Sequence, residues 1–207
     1  MKRKTNLSIS YLARLSMLLA LVILFTVFGI GNIPVGPVVA TIYHLPVIIG
    51  AVALGTKAGG VLGGAWGLLC FFLAVTGQTT DIVALGAVAA NPFGYFIVAF
   101  LPRLLVGLLS GMLAQALQKL LQKQETLRFV LCGAAGALVN TVFYLGLLYL
   151  IFKPLLAATY GIELSAVIGM VMGVAMSNGV VEAAVSAIIT AAVCKALAAL
   201  DRRNEAI

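Results

Sequence analysis

Apolar runs long enough to cross a bilayer, separated by short clusters of lysine and arginine, leave this chain very few folds. The first such run, Tyr11 to Ile30, follows the basic segment Met1 to Lys4. It approaches the ~20 residues that a helical span requires. No A-x-A-like cleavage site follows it, so it reads as a retained helix and not as a signal peptide. Hydrophobic residues make up 63% of the chain and charged ones 9%. A soluble domain would carry about a quarter charged, and no polar segment here is long enough to fold alone. The net charge of +7 does not indicate nucleic acid. The basic residues form no single face and instead lie between the apolar runs, as membrane topology demands.

The expectation is an all-α integral membrane protein forming one membrane domain over residues 1–207. It has six transmembrane helices at approximately 11–30, 38–54, 59–75, 92–121, 129–152 and 164–200, with both termini cytoplasmic. Charge placement supports this arrangement. Lys2, Arg3, Lys4, Arg14, Lys57, Lys119, Lys123, Arg128, Lys195, Arg202 and Arg203 fall on the inner side, and only Lys153 on the outer. The inverted topology breaks the positive-inside bias. Counting Ile82–Ala90 as a full span would put the basic Lys119–Arg128 loop outside, so that segment reads as loop, with a short re-entrant or interfacial helix left open.

The stretch from Gly36 to Gly60 is the irregular part. A loop broken by proline and glycine carries His44, then a short apolar run ends at Gly55. The helix begins at Val38 or at Leu45, and Pro46 suits a helix start. Non-helical backbone near membrane depth is tolerated only where it is buried in protein or lines a cavity. This loop is therefore a candidate lid over a binding site. The third helix contains Gly59, Gly60, Gly63, Gly64 and Gly67, whose G-x-x-x-G spacings predict a face packed tightly against a neighbour.

Four strongly polar residues lie deep in the apolar helices: Arg103, Asn140, Asn178 and Glu182. Counted from the helix starts at ~1.5 Å per residue, Arg103 lies roughly 16 Å down its helix and Asn178 about 21 Å. Asn140 sits as far up its own helix from the opposite side. All three fall near the middle of a hydrocarbon core ~30 Å thick. Asn178 and Glu182 are four apart and share a face. Ionisable groups at such depth mark functional sites by default. Glu182 is the acidic side chain nearest in depth to Arg103 and its expected resting partner, either as a structural ion pair or within a ligand site. For the asparagines, interhelical hydrogen bonds compete with ligand contact. A lone histidine beside Pro46 meets a backbone group more often than a ligand, so His44 is the weaker candidate. Asp81 reads as solvated, and Trp66 as a core or interface residue.

Cys70, Cys132 and Cys194 are odd in number, widely spaced and set in apolar runs. They read as packed thiols, with neither a disulfide framework nor a metal site. No phosphate-binding loop is present, and no cofactor is implied. In the first helix Ala13, Ser16 and Ala20 are small, and Ser16 and Ala20 share a face that permits close helix approach. That face serves either packing within the bundle or the docking of a partner.

Three local patterns, GPVVATIYHLPVIIGAVALGTKAG, LPRLLVGLLSG, and the pair GALVNTVFYLG with SNGVVEAAVSAIIT, combine with the size and basic-inside topology to give a resemblance over residues 11–200. The chain resembles the substrate-binding S component of energy-coupling factor (ECF) vitamin transporters, and its first-loop pattern is most similar to pantothenate-type subunits. The resemblance implies a bacterial multi-pass subunit of the cytoplasmic membrane that hydrolyses nothing itself. It implies a vitamin site open to the outside, formed by the fourth to sixth helices and the outer loops after the first and third. It also implies docking on a membrane T subunit carrying two ATPases, followed by toppling to deliver the vitamin inward. The helix-one motif of the family, Ala-x-x-x-Ala, has its nearest match in Ser16-Met17-Leu18-Leu19-Ala20, where the first position departs.

On this reading Arg103 takes the substrate carboxylate, Asn140 and Asn178 meet hydroxyl or amide groups, and His44 and Thr41 close the site. A pocket with one arginine, two amides and aliphatic walls suits pantothenate better than the flat rings of riboflavin or folate. An S component for another vitamin, of the riboflavin, folate or pyridoxine type, stays as the alternative. A self-sufficient secondary transporter would favour inverted repeats, and none is evident. An intramembrane enzyme needs paired catalytic groups or clustered metal ligands, which the sequence does not offer.

Overall fold

The computed structural model describes the backbone of residues 9–35 and 38–205, and the side chains of 9–31 and 41–203. The basic cluster Lys2, Arg3 and Lys4 lies outside the described residues, as do Gly36 and Pro37. In chain order the elements are α1 (Ile9–Phe28), β1 (Asn32–Val35), β2 (Val38–Thr41), α2 (Leu45–Leu54), α3 (Thr56–Val75), α4 (Ile82–Ala90), α5 (Pro92–Leu120), α6 (Glu125–Tyr160) and α7 (Val167–Glu205). Five of these, α1, α3, α5, α6 and α7, are long and apolar enough to cross a membrane. Large apolar side chains also point outward, as with Leu150 at 75% and Ile188 at 70% exposure. An outer surface of that kind belongs in lipid, because a soluble bundle would keep it polar.

The second predicted helix divides in two. Residues 38–41 pair antiparallel with 32–35, with Asn32 opposite Thr41 and Val35 opposite Val38. Helix α2 starts only at Leu45, with Pro46 in its first turn. The β-branched residues Ile33, Val35, Val38, Val39 and Thr41 favour extended backbone, and this decides against helix. At ten residues α2 is about 15 Å long. Gly55 alone joins α2 to α3, at φ +98. That conformation costs glycine little, so α3 begins at Thr56, three residues earlier than its predicted start at Gly59.

Residues 82–90 form a helix, α4, whose start is capped by Asp81. Its Oδ1 accepts the amides of Val83 at 2.9 Å and Ala84 at 3.1 Å. The Asp81 side chain therefore has a structural role and is not merely solvated. Helix α6 runs past its predicted end. It breaks at Phe152 (φ −120, ψ 23), just before Pro154, then continues to Tyr160. Such a break is the usual effect of a proline inside a helix.

Helix α3 packs closely on α5, and α6 on α7. The first contact follows from the glycine pattern. A Cβ added at Gly59 would strike the carbonyl of Gly107, one at Gly63 the carbonyl of Arg103, and one at Gly67 would lie 2.8 Å from the Phe100 Cα. The two backbones touch along three turns. At the end of the bundle opposite the hairpin lie Lys57, Lys119, Lys123, Arg128, Lys195, Arg202 and Arg203. Arg14 there pairs with Asp201, joining α1 to the last turns of α7.

Candidate functional site

A cavity of ≈ 440 Å³ opens at the hairpin end of the bundle. Its walls come from the end of α1, the end of the hairpin, α3, the α3–α4 loop, α5, α6 and α7. Arg103, Asn140, Asn178, Glu182 and Thr41 all line it. These residues lie up to 141 positions apart in sequence and meet in one space.

Arg103 owes its place to local helix chemistry. Pro102 has no N–H, so the carbonyl of Val98, four residues earlier, lacks its helical donor. Arg103 Nη1 donates to that carbonyl at 3.0 Å. Side chains in a helix lean toward its N-terminus, and here the guanidinium reaches back more than a turn. Its Cζ lies 4.4 Å from the centre of the Tyr144 ring and 5.2 Å from that of Trp66. Two ring faces thus attract the cation from two helices. Nε is buried without a partner.

Glu182 is held separately. Its Oε1 accepts from the Thr41 backbone N–H at 3.0 Å and the Thr41 hydroxyl at 2.6 Å, and Oε2 from the Thr141 hydroxyl at 3.4 Å. The expected Arg103–Glu182 pair does not form. Among the described residues the ion pairs are Arg14–Asp201, Arg128–Glu125 and Arg202–Glu125. Glu182 faces the hairpin and Arg103 faces the aromatic rings, so each pole of the cavity has its own support.

Asn140 and Asn178 face the cavity from α6 and α7, and Asn140 Oδ1 is buried with no donor. His44 does not line the cavity. It is fully buried at the start of α2, with Nε2 2.7 Å from the Ser186 hydroxyl, one turn beyond Glu182 on α7. The α2 register turns it into the bundle. Ala13, Ser16 and Ala20 are all exposed on α1, where the buried residue is Val22.

The walls are aliphatic only in part, at Val27, Leu73, Leu145 and Val174. Tyr43, Trp66, Tyr95 and Tyr144 line the cavity together with Asp81 and Cys70. Tyr144 lies four residues after Asn140, on the same face of α6. Trp66 shares its face of α3 with Gly63 and Gly67, which touch α5. Those spacings were the available signal. Asp81 Oδ2 lies 3.5 Å from the Tyr144 hydroxyl, which ties the α3–α4 loop to the ring that faces Arg103. Cys70, Cys132 and Cys194 are free thiols. Among the described residues no His, Cys, Asp and Glu group could hold a metal ion.

Comparison with known proteins gives the family. The model described as "ECF transporter, substrate-specific component" matches residues 10–194. The chain is 33% identical over 204 residues to the pantothenic acid transporter PanT of Lactococcus lactis, covering 95% of this chain and 96% of the relative. It is 29% identical over 208 residues to the pantothenate transporter PanT of Leuconostoc mesenteroides, covering 96% and 97%. The family is one of transport subunits and not of enzymes, in keeping with the long apolar helices and the cavity between them. The chain belongs to the substrate-specific components of the ECF transporters.

Proposed function

We propose that this chain is the pantothenate-binding subunit of an ECF importer. The observation that carries the reading is an arginine, Arg103, lining a cavity where, among the described residues, no carboxylate lies within ion-pair distance of it. A cation at that depth calls for an anion. A substrate carboxylate meets the need, and the guanidinium fork favours a two-point grip. The cavity volume lies within the ~300–1,000 Å³ usual for small-molecule sites. Glu182 at the other pole accepts hydrogen bonds, which suits the hydroxyl end of pantothenate. The unpartnered Asn140 Oδ1 suits its amide N–H. Thr41 closes the site through Glu182, and Asn178 adds a second amide. His44 acts through the seating of α2 and not by touching substrate. The two relatives named as pantothenate transporters support the same vitamin.

The rest of the proposal extends the family reading. The substrate enters from outside the cell, and the subunit lies in the bacterial cytoplasmic membrane with both termini inside. Six crossings result when the hairpin and α2 together count as one, the extended backbone being tolerated where it borders the cavity. The clustering of basic residues at the end opposite the hairpin supports this orientation. Delivery inward requires docking on a T subunit driven by two ATPases, and the exposed small residues Ala13, Ser16 and Ala20 offer a face for it.

The aromatic lining favours one second reading, a flat-ring vitamin such as riboflavin, folate or pyridoxine. Against it, Trp66 and Tyr144 already present their faces to Arg103. Equilibrium binding of a radiolabelled vitamin panel to the purified chain separates the two. Pantothenate is expected to bind tightest, and tighter binding of any flat-ring vitamin overturns the assignment. Uptake is expected only with the T subunit and both ATPases. Uptake by the chain alone would identify a secondary transporter.

A further inference from the structure

We infer that Pro102 is a positioning residue for substrate recognition: by withholding a helical donor from the Val98 carbonyl, it supplies the fixed acceptor that orients Arg103 in the cavity. The inference rests on the assignment of Arg103 to the substrate carboxylate and adds how that side chain is held.

A long cationic side chain loses rotamer freedom when it is immobilised, and leaving it unfixed would pass that cost to the ligand. The structure fixes it at three points. Trp66 and Tyr144 limit it from two sides, but ring faces attract a cation without setting its rotation. Directionality comes from the hydrogen bond of Nη1 to the Val98 carbonyl at 3.0 Å. In an unbroken helix that carbonyl would accept the N–H of residue 102. Proline at 102 removes this competitor, and its ring crowds the same carbonyl and turns it from the helix line. Pro102 is fully buried, so its ring is also set against neighbours. The proline precedes the arginine directly, which puts the freed acceptor within reach of that side chain. Pro154 interrupts α6 in a similar way, with no arginine beside it.

The test compares binding of pantothenate with binding of its alcohol analogue, in which the carboxylate is reduced to a hydroxymethyl group. The variants are Pro102→Ala and Pro102→Val, the second keeping most of the ring volume while restoring the N–H. Both should weaken binding of the acid by roughly 10-fold or more, the worth of one hydrogen bond made by a charged group, and leave binding of the alcohol near its starting value. Retained alcohol binding shows that the variant is folded. Pro154→Ala, which removes the other helix proline, should leave the ratio of acid to alcohol affinity unchanged. Combined with Arg103→Ala, the Pro102 substitutions should cost the acid nothing further, since both act through one contact. Equal losses for acid and alcohol in the Pro102 variants would assign the proline to packing alone and overturn the inference. If Arg103→Ala alone fails to separate acid from alcohol, the carboxylate assignment itself falls. If Arg103→Ala separates them and Pro102→Val does not, only the role of Pro102 falls.

Discussion

Glu182 and Thr41 meet twice, through the backbone N–H at 3.0 Å and through the hydroxyl at 2.6 Å, both onto the same carboxylate oxygen. One side chain of α7 therefore holds the end of the hairpin where it borders the cavity. Hydrogen bonds to a charged acceptor contribute about 1.5–3 kcal/mol each. Glu182→Ala should speed hydrogen exchange at the Thr41 amide by about 10-fold or more. Thr41→Val, which keeps the backbone bond, should have a smaller effect at the same amide. Unchanged exchange in Glu182→Ala would show that strand pairing alone secures the hairpin.

Truncating one side of a buried charge contact typically costs about 2–5 kcal/mol. Arg103→Ala should therefore weaken pantothenate binding by roughly 30-fold to several thousand-fold. Arg103→Lys should restore only part of this, because a point charge cannot reproduce the fork. Equilibrium binding to the purified variants measures both. Full recovery by lysine would leave charge, and not geometry, as the requirement.

The contact of α3 with α5 has no room for a side chain at Gly59 or Gly107. Gly59→Leu and Gly107→Leu should each force the helices apart and lower the thermal stability of the detergent-solubilised protein. Gly146→Ala, at a helical glycine with open space around it, should not lower it and should if anything raise it. Equal melting temperatures for all three would mean that the bundle relaxes around the added atoms.

These outcomes bear on what the sequence made legible. A polar side chain inside an apolar run is conspicuous, and helix spacing gives its depth, so Arg103, Asn140, Asn178 and Glu182 could be selected before any contact was known. The G-x-x-x-G series in α3 likewise announced a close contact, though not its partner. Pairing was not legible. Equal depth suggested Arg103 with Glu182, but depth says nothing about azimuth, and the two face different supports. Trp66 reads from the sequence as a core or interface residue and is buried in the core, but its place beside Arg103, like that of Tyr144, was not legible, because an aromatic residue looks the same in a core and beside a cation. The hairpin had a signal, β-branched residues on both sides of Gly36-Pro37, which the surrounding hydrophobicity concealed. His44 follows the hairpin directly, and only the register of α2 reveals that it turns away from the cavity.

Ser16 and Ala20 lie exposed on α1. Replacing both by leucine should abolish uptake in the assembled transporter while leaving vitamin binding to the isolated subunit within about twofold, since surface changes seldom exceed ~0.5 kcal/mol. Parallel loss of both activities would place the residues in the packing of the bundle.

The orientation is open to direct labelling. In a background without Cys70, Cys132 and Cys194, cysteines at Thr79 and Thr159 should react with an impermeant thiol reagent applied from outside the cell. Cysteines at Thr56 and Gln124 should react only after the membrane is opened. Reaction of position 124 from outside would invert the topology.

The backbone contact between Gly63 and Arg103 has a consequence for how such a site can change. The cationic pole is anchored where the backbones of two helices touch. The anionic pole hangs on a short hairpin and one long helix. The cavity thus has a fixed jaw and an adjustable one. On the proposed assignment of Arg103 to the substrate carboxylate, a relative that took another carboxylate of different length could keep the fixed jaw whole. It would need only to re-cut the opposite wall, at Asn178, Glu182 and Thr41. On that proposed assignment, selectivity for the acid group and selectivity for the rest of the molecule would be separable traits.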